Sequence, residues 1–217
     1  MTNESVLEIR QMELGPLANF VYILSEPASK VAIVVDPAWD VPAIVGELNA
    51  KNLKLEGILL THNHFDHING VGELLKHKDA PVYIHHKDKD ELPKDYEASM
   101  RVMDGGEKVT IGNLRLEFLH TPGHTEGSLC FRLADRLVTG DTLFIRGCGR
   151  VDLPNSDPEK MFHSLKKIAT LDDGLFVLPG HNYGPVGECL LQVEKRENPY
   201  LRLASERTLA DFLKIFS

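Results

Sequence analysis

Cysteine is scarce in this sequence: Cys130, Cys148 and Cys189 are the only three. They are odd in number and no two have C-x-x-C spacing. That excludes a disulfide scaffold, argues against a cysteine-held structural zinc, and fits a reducing compartment. Long apolar runs are also missing, since none approaches the ~18 residues of a membrane span. The opening residues MTNESVLEIR are polar, unlike the apolar stretch of a signal peptide, so a cytoplasmic location is expected. Positive charge is in deficit, with 24 Lys and Arg against 32 Asp and Glu, a formal net charge of −8. A nucleic-acid or anionic-membrane binder would carry a basic patch, so neither partner is expected. A small anionic substrate stays possible, because a few local arginines or metal ions can reverse the field. No repeat, linker or low-complexity stretch breaks the 217 residues, so 1–217 is expected to fold as a single domain. Its core should be large enough to need no staple.

Short β-rich runs come first: 6–12, 19–25 and 31–37, bounded by turn residues. The spacing predicts a helix over 42–51, with Asp40 as its cap and Pro42 in its first turn. The strand EGILLTH follows, then a histidine-rich loop, then a helix from Ile68 to His77. PVYIHH, LRLEFLHT, SLCFRLA and RLVTGDT read as further strands, separated by turns such as Asp104-Gly105-Gly106 and Gly112-Asn113. A helix should start at Asp157-Pro158, since Met161, Leu165 and Ile168 recur at helical spacing. GLFVLPGH is another buried strand, and helices are expected in GECLLQVEKRENPYL and in the amphipathic tail LRLASERTLADFLKIF. This order of strands and helices, given twice, predicts an α/β fold with two face-to-face sheets and helices outside.

The stretch THNHFDHING places His62, His64, Asp66 and His67 within six positions. Burying such a cluster is costly unless something pairs with it. A metal site, a solvated loop and a triad-like arrangement are the candidates. His62, His64 and Asp66 alternate, so they face one way in an extended segment while His67 faces another. One loop can therefore serve two ions, and imidazole with carboxylate suits zinc, iron or manganese. Two ions need more donors. His124 (HTPGHTEGS), Asp141 (LVTGDT) and His181 (LFVLPGHNYG) each follow a strand, beside Gly123, Gly140 and Gly180, which permit tight turns. His77, His85, His86, His120 and His163 match no such pattern and are read as non-ligands, although His85 and His86 are adjacent and can form an adventitious exposed site. Asp40 and Asp104 read as cap and turn residues.

THNHFDH, TPGHTEGS, TGDT and PGHNYG, in this order and spacing, resemble the metallo-β-lactamase superfamily over residues 15 to 200. The resemblance implies a four-layered αββα sandwich with metals at one edge of the sheets. It implies that His62, His64 and His124 hold one ion, that Asp66, His67 and His181 hold a second, and that Asp141 bridges them. Asp36, in VVDP, would stand behind the ligands. The β-lactamases proper have Cys at the bridging position; Asp141 here points to the hydrolase and oxidase branches.

DTLFIRGCGR and PGHNYG further resemble glyoxalase II, the hydroxyacylglutathione hydrolases. That likeness implies glutathione contacts from Arg150 and Tyr183, a forked donor for a carboxylate and a directed hydroxyl. Two departures stand out: Asp152 replaces an aromatic residue, and the family's basic C-terminal helical extension is short here. IRGCGR and ENPYL also look like the persulfide dioxygenases, which bind one iron through the equivalents of His62, His124 and Asp141. Val151-Asp152-Leu153 departs from that branch. A non-catalytic metal-binding module would have lost a ligand, and none is missing. No Ser sits in a G-x-S-x-G setting, and Cys148 lacks an evident base.

The expectation is a binuclear hydrolase, with two divalent ions, zinc foremost, that cleaves a small-molecule thioester such as an acylglutathione. Ions ~3.5–4 Å apart share a water and make hydroxide available at neutral pH, and Asp66 would orient it. The apolar tail residues Leu209, Phe212, Leu213, Ile215 and Phe216 either close the core or form a homodimer surface.

Overall fold

The structure, a computed structural model, describes residues 7–216; the start of the first expected strand, at Val6, lies outside them. A mixed six-stranded sheet is built from β1 (Glu8–Leu14), β2 (Asn19–Glu26), β3 (Val31–Val35), β4 (Lys54–Leu59), β5 (Val82–His85) and β6 (Met100–Met103), in that spatial order. The second sheet runs β14-β13-β10-β9-β8-β7. Its strands are β7 (Lys108–Ile111), β8 (Leu114–His120), β9 (Leu129–Leu133), β10 (Arg136–Gly140), β13 (Phe176–Pro179) and β14 (Cys189–Leu190). A two-stranded ribbon, β11 (Leu143–Phe144) and β12 (Gly147–Cys148), completes the β structure described.

Alternation along the strands divides the interior into three apolar layers. On β2 and β3, Val21, Ile23, Ala32 and Val34 face α1 (Val41–Ala50) and α3 (Val71–His77), with Ile44, Leu48 and Leu74 opposite. The alternate residues Phe20, Tyr22, Leu24, Ile33 and Val35 meet Leu116, Phe118, Phe131 and Leu178 of the second sheet. That sheet's outer face, with Cys130, Leu137 and Val177, is covered by Met161, Leu165 and Ile168 of α4 (Pro158–Ala169) and by the C-terminal helices. The order is helix, sheet, sheet, helix, as expected. Both faces of each sheet are buried, which is why β2 and β3 read as continuous apolar runs rather than alternating ones.

Asp40 caps α1 by accepting from the Ala43 amide, and Asp157 caps α4 through the Glu159 and Lys160 amides. The helix expected over Ile68–His77 is instead two pieces, α2 (Phe65–Ile68) and α3, parted at Asn69-Gly70. The break has a packing cause: a Cβ on Gly70 would lie 2.7 Å from the Pro37 carbonyl oxygen, so the chain turns where only glycine fits. The tail is also two helices, α6 (Pro199–Glu206) and α7 (Leu209–Leu213). Asn198 caps the first and Thr208 the second, so each start signal ended the helix before it. GECLLQVEKRENPYL opens as β14 before α5 (Leu191–Glu197). Phe212 is fully buried against Phe162, whereas Ile215 and Phe216 remain exposed, so only part of the tail closes the core. Among the described residues no helix is long and apolar enough to cross a membrane.

Candidate metal centre

The strands β3, β4, β8, β10 and β13 all release their functional residues at one edge of the sandwich. β3 and β4 are parallel, as are β10 and β13, so their C-terminal ends coincide. The two sheets are tied together there: the Phe20 amide donates to the Gly180 carbonyl at 2.8 Å, and the Leu129 amide to Thr61 at 2.7 Å. A bulge between Val138 and Gly140 on β10 turns Asp141 inward, a common use of bulges beside sites. Gly140 has φ +48, and a Cβ there would sit 2.5 Å from the Thr61 Cβ. Gly180 is small for a different reason: its Cβ would stand 2.3 Å from Asp141 Oδ1, so it clears room rather than allowing a turn.

Two groups of donor atoms result, divided as the superfamily resemblance implies; alternation had placed Asp66 with His62 and His64, but the helical turn beginning at Phe65 carries it to His67. His64 Nδ1 lies 3.1 Å from His62 Nε2 and 2.9 Å from His124 Nε2. His67 Nε2 lies 3.1 Å from His181 Nε2, and both are 3.4–3.5 Å from Asp66 Oδ2. Asp141 stands between them, with Oδ2 3.4 Å from His124 and His181 and Oδ1 3.4 Å from His67. Asp36 forms a further close group with His62 and His67, from behind the ligands.

The surrounding hydrogen bonds fix which nitrogen carries the proton. His67 Nδ1 donates to Asp36 Oδ2 (3.0 Å), His124 Nδ1 to the Arg150 carbonyl (2.9 Å) and His181 Nδ1 to the Leu17 carbonyl (2.8 Å). Thr61 Oγ1 donates to Asp36 Oδ2 and is thereby left to accept from His62 Nδ1. With the proton held on Nδ1, each of these four Nε2 atoms can turn a lone pair inward, where His64 presents its Nδ1 instead. Outer partners that set the tautomer in this way are typical of metal-binding histidines.

Such an arrangement is repulsive without a cation inside it, and the residues fit a divalent ion. Donor spacings of 2.9–3.5 Å match the edges of a coordination polyhedron with bonds of about 2.0–2.2 Å. Asp141 Oδ1 is buried with no hydrogen-bond partner, an arrangement that needs an explanation and finds one in a ligand role. Electrostatics agree. Burial opposes charge on His67, yet Asp141, Asp36 and Asp66 outweigh it and raise its pKa to about 9. The carboxylates thus demand a positive charge at this place. His62 is pushed well down and His64 to about 4, by burial first and by neighbouring histidines next, which keeps both as neutral ligands.

The other expected residues divide. Tyr183 stacks on His181 with centroids 4.5 Å apart. Arg150 reaches the site through its carbonyl, while its guanidinium forms a bidentate pair with Asp152 at 2.9 Å. His77 and His163 are exposed and away from the donor groups. His85 and His86 do not make an exposed site. His85 is buried, stacked on His120, and uses both nitrogens on the Asp104 carbonyl and the Lys87 amide. Burial pushes the Cys148 thiol up to about 12, which removes it as a nucleophile.

Three residues not anticipated from the sequence position the ligands. Asn19 is buried, and its Nδ2 donates to the Asp66 carbonyl (3.0 Å) and carboxylate (2.8 Å). Trp39, the only tryptophan, donates from Nε1 to Asn19 Oδ1 at 2.8 Å. Asp88 is 1% exposed and accepts from Thr125 Oγ1 (2.7 Å), the Gly127 amide (2.8 Å) and the Asn63 amide. It thereby clamps the loop bearing His62 and His64 to the one bearing His124. Nothing in the local pattern of KDKDE marks Asp88 from its acidic neighbours. An Asp88→Asn chain is expected to bind metal at the three-histidine group about 10–100-fold more weakly. Titration against a competing chelator measures this, and unchanged affinity would show that the loops hold themselves.

Comparison with known proteins agrees with this geometry. Residues 14–181 match the metallo-beta-lactamase superfamily. The probable polyketide biosynthesis zinc-dependent hydrolase PksB of Bacillus subtilis is 37% identical over 170 residues, 76% of this chain and 74% of that protein. A hydroxyacylglutathione hydrolase of Xylella fastidiosa is 38% identical over 177 residues, 79% of this chain but 64% of its own length. The crystal structure of ETHE1 from Myxococcus xanthus superposes with a TM-score of 0.83 at 28% identity, covering 96% of this chain and 89% of that one. With the αββα layers, the two donor groups and the matched residues in agreement, this chain belongs to the metallo-β-lactamase superfamily.

Proposed function

We propose that the protein is a binuclear metallohydrolase that cleaves a thioester, an acylglutathione or a related acyl-thiol. The observation that carries this reading is the completeness of the second donor group. Asp66 Oδ2, His67 Nε2 and His181 Nε2 are within 3.1–3.5 Å of one another, with Asp141 beside both groups. The hydroxyacylglutathione hydrolase relative supports the thioester, and the zinc-dependent relative supports zinc over iron or manganese. Divalent ions held by these residues would lower the pKa of a water towards neutrality and polarise a substrate carbonyl.

The chain's own groups then have definite work. Asp66, fixed by Asn19, orients the attacking water and accepts its proton. The water oxygen bonds to the thioester carbonyl carbon, the carbon–sulfur bond breaks, and an acid and a thiolate leave. A thiolate needs little proton assistance, because thiol pKa values lie near ~8.5. The Tyr183 hydroxyl stays a donor, since burial first and then the Asp141 and Asp66 charges raise its pKa.

The test is metal content of protein produced with both zinc and iron available, followed by hydrolysis of acylglutathiones. Two ions per chain with thioester cleavage is the expected result. One iron per chain, with oxygen consumed in the presence of a glutathione persulfide, would replace this reading with that of a persulfide dioxygenase using His62, His124 and Asp141.

A further inference from the structure

We infer that the substrate's acyl chain is apolar and uncharged, and that it lies along a rim made by Leu17, Phe65 and Tyr183. This rests on the thioester reading above and names its substrate class. Phe65 is 71% exposed, Tyr183 59% and Leu17 47%, in a chain whose other large aromatic side chains are mostly internal. Single exposed apolar residues mean little; three from distant segments that meet at one site are informative.

Their convergence is visible in the contacts. The Leu17 carbonyl accepts from His181, on whose ring Tyr183 stacks. Phe65 lies between the ligands His64 and Asp66 and packs edge-on against Trp39 at 6.2 Å. Trp39 in turn covers the turn that presents Leu17, so closely that a Cβ on Gly15 would be 2.3 Å from the indole. The three residues thus flank the Asp66, His67 and His181 group, each tied to it through His181, through Trp39 or by its place in the histidine loop.

Charge argues the same way. The arginines adjacent in sequence, Arg146 and Arg150, are engaged by Glu194 and Glu197 and by Asp152 respectively. Neither guanidinium is left unpaired to draw the carboxylate of an anionic acyl arm onto the rim, and such a carboxylate would lose hydration against apolar side chains. A methylene chain meets apolar surface.

The experiment compares kcat/KM of the metal-loaded protein on acetyl, butanoyl, hexanoyl and succinyl thioesters, each carried on glutathione and on N-acetylcysteamine. Burying methylene groups on this rim is expected to raise kcat/KM about two- to fourfold for each one added. The succinyl thioester should fall about tenfold below butanoyl, because its terminal carboxylate would be brought out of water against the apolar rim. Phe65→Ser and Leu17→Ser should each flatten the chain-length dependence at unchanged metal content; Leu17 is on a different segment from the ligands, which guards against a disturbed histidine loop. A flat series in the unsubstituted protein, an unchanged slope in both variants, or succinyl cleaved as well as butanoyl would overturn the inference while leaving thioester hydrolysis intact. No cleavage of any thioester by fully loaded protein would remove the proposed function and this inference together.

Discussion

Replacing His64 with alanine is expected to leave one metal ion per chain where the unsubstituted protein holds two. Thioester hydrolysis should drop by more than about 10²-fold, the loss typical of deleting one stabilising contact to a developing oxyanion. His64 Nδ1 completes its group, at 3.1 Å from His62 and 2.9 Å from His124. Without it this group keeps two imidazoles and the Asp141 carboxylate it shares with the other group, one donor short of its full set. The side chain is half-buried rather than in the core, so folding should survive the change. Metal analysis and kcat/KM check this together. Full activity would refute the binuclear assignment, and substantial activity with one iron would favour the dioxygenase.

The second large effect is expected at Asp36. Its carboxylate accepts the Thr61 amide (2.7 Å), the Thr61 hydroxyl (2.6 Å) and His67 Nδ1 (3.0 Å), and it is 3% exposed. Asp36→Ala strands three buried donors and frees the His67 ring to rotate. Removing one partner of such a buried pair costs about 3–5 kcal/mol, and losing an outer partner weakens metal binding about 10–100-fold. Urea denaturation of the metal-free chain and chelator competition measure the two effects. A loss under about 1 kcal/mol, within the range of an exposed ion pair, would show that Asp36 does not organise the site.

That denaturation should also depend on pH in a definite way. His67 has its folded-state pKa raised to about 9, against about 6.5 for an unfolded chain. Its contribution is then fully present below about pH 6.5 and lost as pH rises through 9. His64, lowered to about 4, acts oppositely: its protonation in the unfolded chain makes stability climb from pH 4 to 6.5. The metal-free protein should therefore be most stable near pH 6.5, and Asp36→Ala should show a shallower decline above it.

Much of the site was legible because its chemistry is concentrated in short motifs. THNHFDH puts four potential donors on one loop, and a strand precedes each of His124, Asp141 and His181. Alternation within the loop set His67 apart from His62 and His64, but it put Asp66 on the wrong side: the chain turns helical at Phe65, and Asp66 joins His67. Asp88 and Asn19 were not legible. Asp88 looks like any residue of a charged run, and Asn19 opens a buried strand; each matters only because distant loops come to meet it. The roles of Gly140 and Gly180 were likewise merged, since a sequence does not tell a glycine needed for positive φ from one needed for clearance.

Sequence alone determined most of the elements and the donors: periodicity set the main strands and helices, and Asp40 and Asp157 carry cap chemistry that is local. The tertiary structure decided which nitrogens face inward, because the Asp36, Arg150 and Leu17 acceptors come from other segments. It also decided that Arg150 is spoken for by Asp152, and that the exposed residues Leu17, Phe65 and Tyr183, from distant segments, flank the same donor group. Composition records which groups exist. Only packing brings residues more than a hundred positions apart within 3 Å, and tautomer, charge and substrate preference depend on that proximity.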